Sequence, residues 1–281
     1  GYAERNPEAD VEGYDACRKI AILTSLVAGK TVDFHKIHTE GITGIDPTDF
    51  AYAKKLDATI KLLAVSRETE DGYQISVAPY FLKKENALAG VNDVFNAVAV
   101  CGNTLGDTMF YGRGAGKLPT ASAVVADVVE CARHLQKTVG CLWEEGEAKV
   151  ADFDSQEGRF FVRVLKKARA DVEKVFGAVV PVVLDSALEE FAFVTESMQE
   201  AEFEKCREQI FGFVKKIRIR TEKRTGEYRD HEKSSKIRGA VPLRAHSSLK
   251  GRRKVGTDRR SIQKDTLYRA HRANGSVRTQ R

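Results

Sequence analysis

The 281-residue sequence lacks the patterns that identify membrane proteins and disulfide-linked proteins. Its apolar stretches, such as residues 20–28, fall well short of the ~20 residues that cross a bilayer as a helix. The five cysteines are odd in number and include no C-x-x-C pair, which argues against a disulfide framework and a cysteine zinc site. We therefore expect no membrane span and no metal, and a reducing cytoplasmic compartment.

Two further patterns are missing. The chain begins with Gly1 rather than Met, and no basic segment followed by an apolar one marks a signal peptide. No predicted strand leads into the G-x-G-x-x-G fingerprint of a dinucleotide-binding domain. We expect the chain to be part of a longer protein.

Charge divides the chain into two unlike regions. Residues 222–281 contain 18 Lys and Arg against 6 Asp and Glu, which leaves 28 against 34 in residues 1–221. Apolar residues in the basic region are isolated and follow neither a helical nor a strand period. Such a segment cannot bury enough area to offset its ordering entropy. We predict a disordered basic tail over residues 221–281.

Hydrophobic spacing predicts a helix over residues 15–27, ended by Gly29, and a second helix that begins at Asp46-Pro47. A glycine-dense turn at residues 111–117 leads into another helix. Three β-rich runs read as strands of one sheet. They span residues 59–66, 73–82 and 95–101.

The second half has its own order of elements after a polar segment. Residues 144–158 are rich in Glu, Asp, Gly and Ser, which is typical of a linker. From residue 159 the pattern predicts a βαββαβ unit. We therefore predict an α+β fold with three parts: a mixed sheet covered by helices in residues 1–143, the βαββαβ unit in residues 159–220, and the tail.

The candidate chemistry lies near the N-terminus. Asp15 and Lys19 are four residues apart on the first predicted helix, and the acids Glu4 and Asp10 precede them. The spacing leaves two interpretations open. One is an exposed ion pair that contributes a few tenths of a kcal/mol. The other is a proton-transferring lysine beside acids that bind a substrate amine.

The first 19 residues, GYAERNPEADVEGYDACRK, resemble the substrate-binding signature of homoserine dehydrogenases. That signature is a G-Y-x-E-P segment followed by an acidic stretch, a Gly and D-x-A-R-K. Arg5 stands where the family usually has Pro. The resemblance covers residues 1–136 and is carried by further blocks. These are residues 39–42, 91–97, 102–103 and 111–127.

The resemblance implies a role for each candidate residue. Lys19 would donate a proton to the aldehyde oxygen and accept it in the reverse reaction. Glu4 and Asp15 would bind homoserine, and Asp10 would be a further acid of the same pocket. Gly114 and Gly116 would let the backbone approach the dinucleotide, and the helix after them would favour its anionic groups.

The implied activity is NAD- or NADP-dependent interconversion of L-aspartate 4-semialdehyde and L-homoserine, in the branch that feeds threonine, methionine and isoleucine synthesis. The family places a dinucleotide-binding domain before the segment that begins at Gly1, so we expect this chain by itself to be inactive. Its Gly116 turn and the following helix return to that domain, so we expect the valines of this helix to be under-buried here. A homo-oligomer is also expected.

The βαββαβ unit resembles the ACT regulatory module, whose usual ligand is an end-product amino acid. Its first turn, residues 166–171, lacks the D-x-P-G-like sequence of that module. The alternative function is a catalytically inactive remnant whose basic tail binds nucleic acid through counterion release. A third possibility is that the tail reflects a displaced reading frame.

Two further residue types could carry chemistry. His35 and His38 are three residues apart with no third ligand nearby, so we predict no metal site there. Cys17 lies inside the first predicted helix without a histidine partner placed by the motif. We predict that it is a small packing residue.

Removal of residues 222–281 is expected to leave the melting temperature unchanged, because a segment without a core adds no stability to the part before it. Calorimetry of the full and shortened chains in 0.15 M salt, where exposed charge contacts are screened over ~8 Å, measures this. A fall of several degrees would mean that the tail packs on the folded part.

Overall fold

The computed structural model describes residues 6–102, 104–137 and 143–221. None of the helices in these ranges is long and apolar enough to cross a membrane. The helices are α1 Glu8–Val11, α2 Tyr14–Ala28, α3 Pro47–Lys55, α4 Lys117–Arg133, α5 Arg169–Phe176 and α6 Glu200–Arg207. The strands are β1 His38–Thr39, β2 Ala58–Thr69, β3 Gly72–Lys83, β4 Phe95–Gly102, β5 Gly106–Arg113, β6 Glu157–Leu165, β7 Glu190–Val194, β8 Met198–Gln199 and β9 Phe213–Ile219.

Strand β3 is at the centre of the main mixed sheet, whose order is β1-β3-β9-β6-β7. β2 pairs antiparallel with β3 along its whole length, from Thr69 opposite Gly72 to Ala58 opposite Lys83. A strand has two edges, so β1 and β9 share the other edge of β3, both parallel to it. The last strand of the second half therefore belongs to the same sheet as the first half.

Local signals correctly predicted the ends of the early helices. Gly29 caps α2 in the left-handed conformation at φ 64°. The side chain of Asp46 accepts hydrogen bonds from the backbone of Thr48 and Asp49, and the side chain of Asp49 accepts one from the backbone N–H of Asp46. This capping box, with Pro47 at the first helical position, begins α3 as predicted.

The expectation that residues 95–101 join the same sheet as the two preceding strands was wrong. β4 pairs with β5 instead, in a separate two-stranded antiparallel sheet that runs from Phe95 opposite Arg113 to Gly102 opposite Gly106. The predicted turn at residues 111–117 begins inside β5. β-rich composition indicates that a segment is extended, but the choice of partner depends on packing that a single segment does not encode.

The segment that we predicted as a linker is packed against the first half. The backbone of Tyr73 donates to Lys149 and accepts from Ala151, at 2.8 and 2.9 Å. The backbone of Ala148 donates to Thr31 at 2.8 Å, and both alanines are buried. Residues 147–151 therefore extend the structure of the first half rather than separating the two halves.

The second half follows the predicted element order with one element reduced. The strand predicted at residues 182–184 is a single bridge between Val182 and Ala192. The helix predicted over residues 171–179 ends at Phe176, because Gly177 takes a φ of 73°. Phe160 of β6, Phe193 of β7 and Phe203 of α6 form the fully buried centre of this half.

A second hydrophobic cluster joins the two halves. Phe81 of β3 stacks on Phe161 of β6 with ring centroids 4.5 Å apart, and Tyr52 of α3 lies 5.4 Å from Phe161. All three rings are buried, together with Ile217 of β9. Aromatic pairs at this spacing stabilise the fold beyond the area that they bury.

Buried charges lie beside this cluster. The guanidinium of Arg163 contacts Asp49 Oδ1 at 2.5 Å, Asp46 Oδ2 at 2.8 Å and Glu190 Oε1 at 2.9 Å. Lys215 Nζ lies 2.6 Å from the second oxygen of Asp49, which is fully buried. Burial lowers the pKa of Arg163, but hydrogen bonds to the three acids outweigh it and raise the pKa above its usual value.

Arg163→Met is expected to destabilise the chain by about 3–5 kcal/mol, because it removes the guanidinium from Asp46, Asp49 and Glu190, of which Asp49 is fully buried. Arg169→Met is the matched control, since Arg169 pairs with Glu173 at 2.8 Å on the surface, and it should cost less than about 1 kcal/mol. Urea unfolding of the full chain measures both. Equal losses would contradict a special role for the buried cluster.

Candidate active site at the corner of helices α1 and α2

The corner between α1 and α2 is formed by a glycine with a positive φ. Gly13, at φ 77°, is the N-cap of α2, and its carbonyl accepts the first helical hydrogen bond from Cys17 at 2.9 Å. A Cβ at Gly13 would lie 3.1 Å from Val77 Cγ1 of β3. The corner therefore sits directly on the central strand, in a conformation that glycine adopts without strain.

Helix α2 turns one face to the core and the opposite face to solvent. Cys17 and Ala21 are buried, and Cys17 Sγ lies 3.6 Å from the backbone oxygen of Phe34, so the prediction of a packing role for Cys17 is confirmed. Asp15 and Lys19 lie on the exposed face, with Lys19 Nζ 2.6 Å from Asp15 Oδ2. Their side chains are 44% and 69% exposed. The pair is formed and accessible to a ligand.

The remaining acids predicted for this site are placed only in part. Asp10 is exposed on α1, one short turn before the corner. Glu4 lies outside the described residues. The structure thus brings Asp15 and Lys19 into contact and places Asp10 on the adjoining helix.

Sequence reasoning missed the role of Glu40, which lies just after β1. Its carboxylate contacts His38 Nε2 at 2.6 Å and Arg218 at 2.8 Å. Burial raises the pKa of Glu40, but the hydrogen bonds with His38 and Arg218 outweigh it and hold the pKa at about 2. Glu40 belongs to the block at residues 39–42 that the resemblance includes, and this block was the available signal.

Gly41 is required by the close approach of two backbone segments. A Cβ there would lie 2.4 Å from the carbonyl oxygen of Val11 and 2.6 Å from Cα of Glu12. The next amide, of Ile42, donates to the same Val11 oxygen at 2.7 Å. The segment at residues 39–42 is thereby held against α1.

The two glycines predicted to face a dinucleotide are Gly114 and Gly116. Gly116 has a positive φ, whereas Gly114 has a side chain close to its Cβ position. Gly116 has a φ of 112° and is the N-cap of α4, where no side chain accepts a hydrogen bond from the first amides. A Cβ at Gly114 would lie 2.1 Å from Nδ2 of Asn96 on the neighbouring strand. The amides at the start of α4 can donate hydrogen bonds to an anionic group.

Helix α4 has no buried residue. Its valines are 41–61% exposed, as we expected from the resemblance. These are Val124, Val125, Val128 and Val129. Among the described residues, no group of three His, Cys, Asp or Glu side chains could hold a metal ion.

Comparison with known proteins matches the first half of the chain to one family. The sequence model described as homoserine dehydrogenase matches residues 1–129. The homoserine dehydrogenase of Pseudomonas aeruginosa is 47% identical over 135 residues, which are 48% of this chain and 31% of that protein. The first half of the chain is therefore similar to homoserine dehydrogenases.

Similarity to homoserine dehydrogenases extends into the second half. The Bacillus subtilis enzyme is 33% identical over 221 residues, which cover 72% of this chain and 51% of that protein. The crystal structure of the Thiobacillus denitrificans homoserine dehydrogenase superposes with a TM-score of 0.70 at 27% identity, over 78% of this chain and 55% of that one. The chain therefore spans 31% to 55% of the length of these three homoserine dehydrogenases.

Gly41→Ala is expected to destabilise the chain by about 1–3 kcal/mol, because the new Cβ meets backbone atoms that cannot move aside. Gly44→Ala is the matched control, since nothing lies within 4 Å of its Cβ position. Urea unfolding compares the two variants. A Gly41→Ala protein as stable as the Gly44→Ala protein would show that the corner is not held as tightly as described.

Proposed function

We propose that this chain is the substrate-binding part of a homoserine dehydrogenase, which interconverts L-aspartate 4-semialdehyde and L-homoserine with NAD or NADP. The observation that carries this proposal is the contact of 2.6 Å between Lys19 and Asp15 on the exposed face of α2. The contact joins the two residues that the family signature assigns to proton transfer and substrate binding.

In the proposed reaction, Lys19 donates a proton to the carbonyl oxygen of the semialdehyde as that oxygen becomes an alkoxide. In reverse it takes the proton from the homoserine hydroxyl. Asp15, at 2.6 Å, holds the ammonium group of Lys19 in place and, together with Glu4, binds the substrate amine. Asp10 adds negative charge on the adjoining helix, which favours a cationic amine over a neutral one.

The start of α4 fits one wall of a dinucleotide site. Gly116 leaves the first amides of a 17-residue helix without a side-chain cap, and anionic phosphate groups are favoured at such a helix end. When bound, the nicotinamide supplies or receives the hydride. Gly114 and Gly116 are the residues of this chain that would approach the dinucleotide.

We also propose a function-related unit in the second half of the chain. Its order β6-α5-β7-α6-β9, with the bridge at Val182, supports an ACT-like unit over residues 159–220. Its first turn, residues 166–171, lacks the D-x-P-G-like sequence that exposes backbone groups to an amino-acid effector in that module, so this proposal is limited to the ACT-like fold. The proposed activity would serve threonine, methionine and isoleucine synthesis. We also propose a cytoplasmic homo-oligomer. The alternative of a remnant with a nucleic-acid-binding tail is not supported by the comparisons, and residues 222–281 lie outside the described part.

Lys19→Ala tests the proposed function in a protein where this chain replaces the matching segment of the Bacillus subtilis homoserine dehydrogenase. The variant is expected to lower kcat by about 10²–10⁴, the usual range for loss of a general acid or base. Initial rates of homoserine oxidation, followed by nicotinamide absorbance, give this value.

Lys36→Ala is the control for that experiment. Lys36 is also an exposed lysine in an ion pair, 2.6 Å from Glu147, and its loss should leave kcat within about twofold because it lies off the α2 face. An unchanged kcat in the Lys19 variant would contradict its role as proton donor.

A further inference from the structure

The side chain of Arg218 on β9 links the second half of the chain to the segment under the candidate active site. Its Nε lies 2.5 Å from Glu200 Oε1 and its Nη2 lies 3.1 Å from Glu200 Oε2. Both side chains are almost completely buried. A guanidinium group that donates two hydrogen bonds to one carboxylate has a fixed plane, so the direction of its third nitrogen is fixed as well. That nitrogen, Nη1, lies 2.8 Å from Glu40 Oε2.

The strand pairing explains why residues so distant in sequence meet here. β1 and β9 share one edge of β3, with Thr39 opposite Val77 and Arg218 opposite Tyr80. The chain leaves β1 at Glu40, whose amide still donates to Val77 at 2.7 Å. The carboxylate of Glu40 is therefore presented towards the end of β9.

Both oxygens of the Glu40 carboxylate are engaged. One contacts Arg218, and the other lies 2.6 Å from Nε2 of His38. The His38 ring is stacked on Phe153 with centroids 3.6 Å apart, and the guanidinium of Arg218 lies 5.0 Å from the same Phe153 ring. The carboxylate is therefore held between two groups whose own positions are fixed.

From Glu40 the contacts continue to the corner itself. Gly41 lies against the carbonyl of Val11, and the amide of Ile42 donates to that carbonyl at 2.7 Å. Val11 is the last residue of α1, two residues before the N-cap of α2. A displacement of Glu40 would thus move the corner from which Asp15 and Lys19 project.

We propose that Arg218 is a positioning residue for the substrate site: through Glu40 it fixes the α1–α2 corner, although it lies on the last strand of the second half. The part of this proposal that concerns substrate rests on the proposed function. The C-terminal unit then contributes to substrate binding without touching the substrate, whether or not it binds an effector of its own.

Lys216 provides a matched control on the same strand. Its Nζ contacts Glu200 Oε2 at 2.9 Å and Glu204 Oε1 at 2.5 Å, and its side chain is 14% exposed. It therefore shares the partner Glu200 with Arg218, while its described ion pairs lead to α6 rather than to Glu40. Loss of either cation weakens the packing of α6, but only loss of Arg218 removes the contact with Glu40.

The experiment compares Arg218→Gln, Arg218→Lys and Lys216→Gln in the full chain. The first measurement is amide hydrogen exchange at Ile42, and the second is the carbon-13 titration of the Glu40 carboxyl group. The third is the dissociation constant of L-homoserine, from amide shifts of Asp15 and Lys19. If Arg218→Gln does not fold, Glu40→Gln breaks the same ion pair from its more exposed side.

Arg218→Gln is expected to speed exchange at Ile42 by about tenfold and to weaken homoserine binding by a similar factor. The Glu40 midpoint should rise from about 2 towards the ordinary value of about 4.3. Arg218→Lys, which keeps the charge, should recover most of the titration shift and of the affinity. Lys216→Gln should leave the exchange rate and the dissociation constant within about twofold of wild type and the Glu40 midpoint unchanged, because its ion pairs do not reach Glu40.

Equal effects of Arg218→Gln and Lys216→Gln, or no effect of the first, would overturn the proposal. If L-homoserine does not change the amide chemical shifts of Asp15 and Lys19 in the wild-type chain, the proposed function fails in this chain. The exchange at Ile42 and the Glu40 titration still decide whether Arg218 fixes the corner.

Discussion

The edge of β3 that β2 leaves open is the constraint on which the rest of the described structure depends. β2 occupies one edge of this strand completely, so every other strand that pairs with β3 must use the second edge. β1 takes the part near Val77 and β9 takes the part near Tyr80. This division places the loop after β1, which supports the α1–α2 corner, next to the last strand of the second half.

Two clusters of buried ion pairs lie where the first and second halves of the chain meet. Arg163 and Lys215 surround the fully buried Asp49, and Arg218 lies between Glu200 and Glu40. Burying an ion costs several kcal/mol, and a charged partner in good geometry offsets that cost only while both remain in place. The two halves are therefore joined by contacts that tolerate little relative displacement, in addition to the aromatic packing around Phe161.

The features that could be predicted from the sequence are those determined by residues close to them in the chain. Gly29 ends α2, Asp46 caps α3, and Asp15 meets Lys19 because four residues make about one helical turn. The partner of β4 could not be predicted, because pairing depends on packing outside the strand. The pair of Glu40 and Arg218 spans 178 residues, so only the shared edge of β3 brings it together.

The parallel pairing of β3 with β9 also affects how the chain is made. During synthesis, Tyr80 leaves the ribosome long before its partner Arg218 has been translated. At 5–20 residues per second, this interval is on the order of ten seconds. Throughout it, the part of the β3 edge that β9 later covers is an unpaired strand edge, and such edges associate readily with other extended chains. That part of the edge therefore stays open to pairing with other extended chains until β9 arrives.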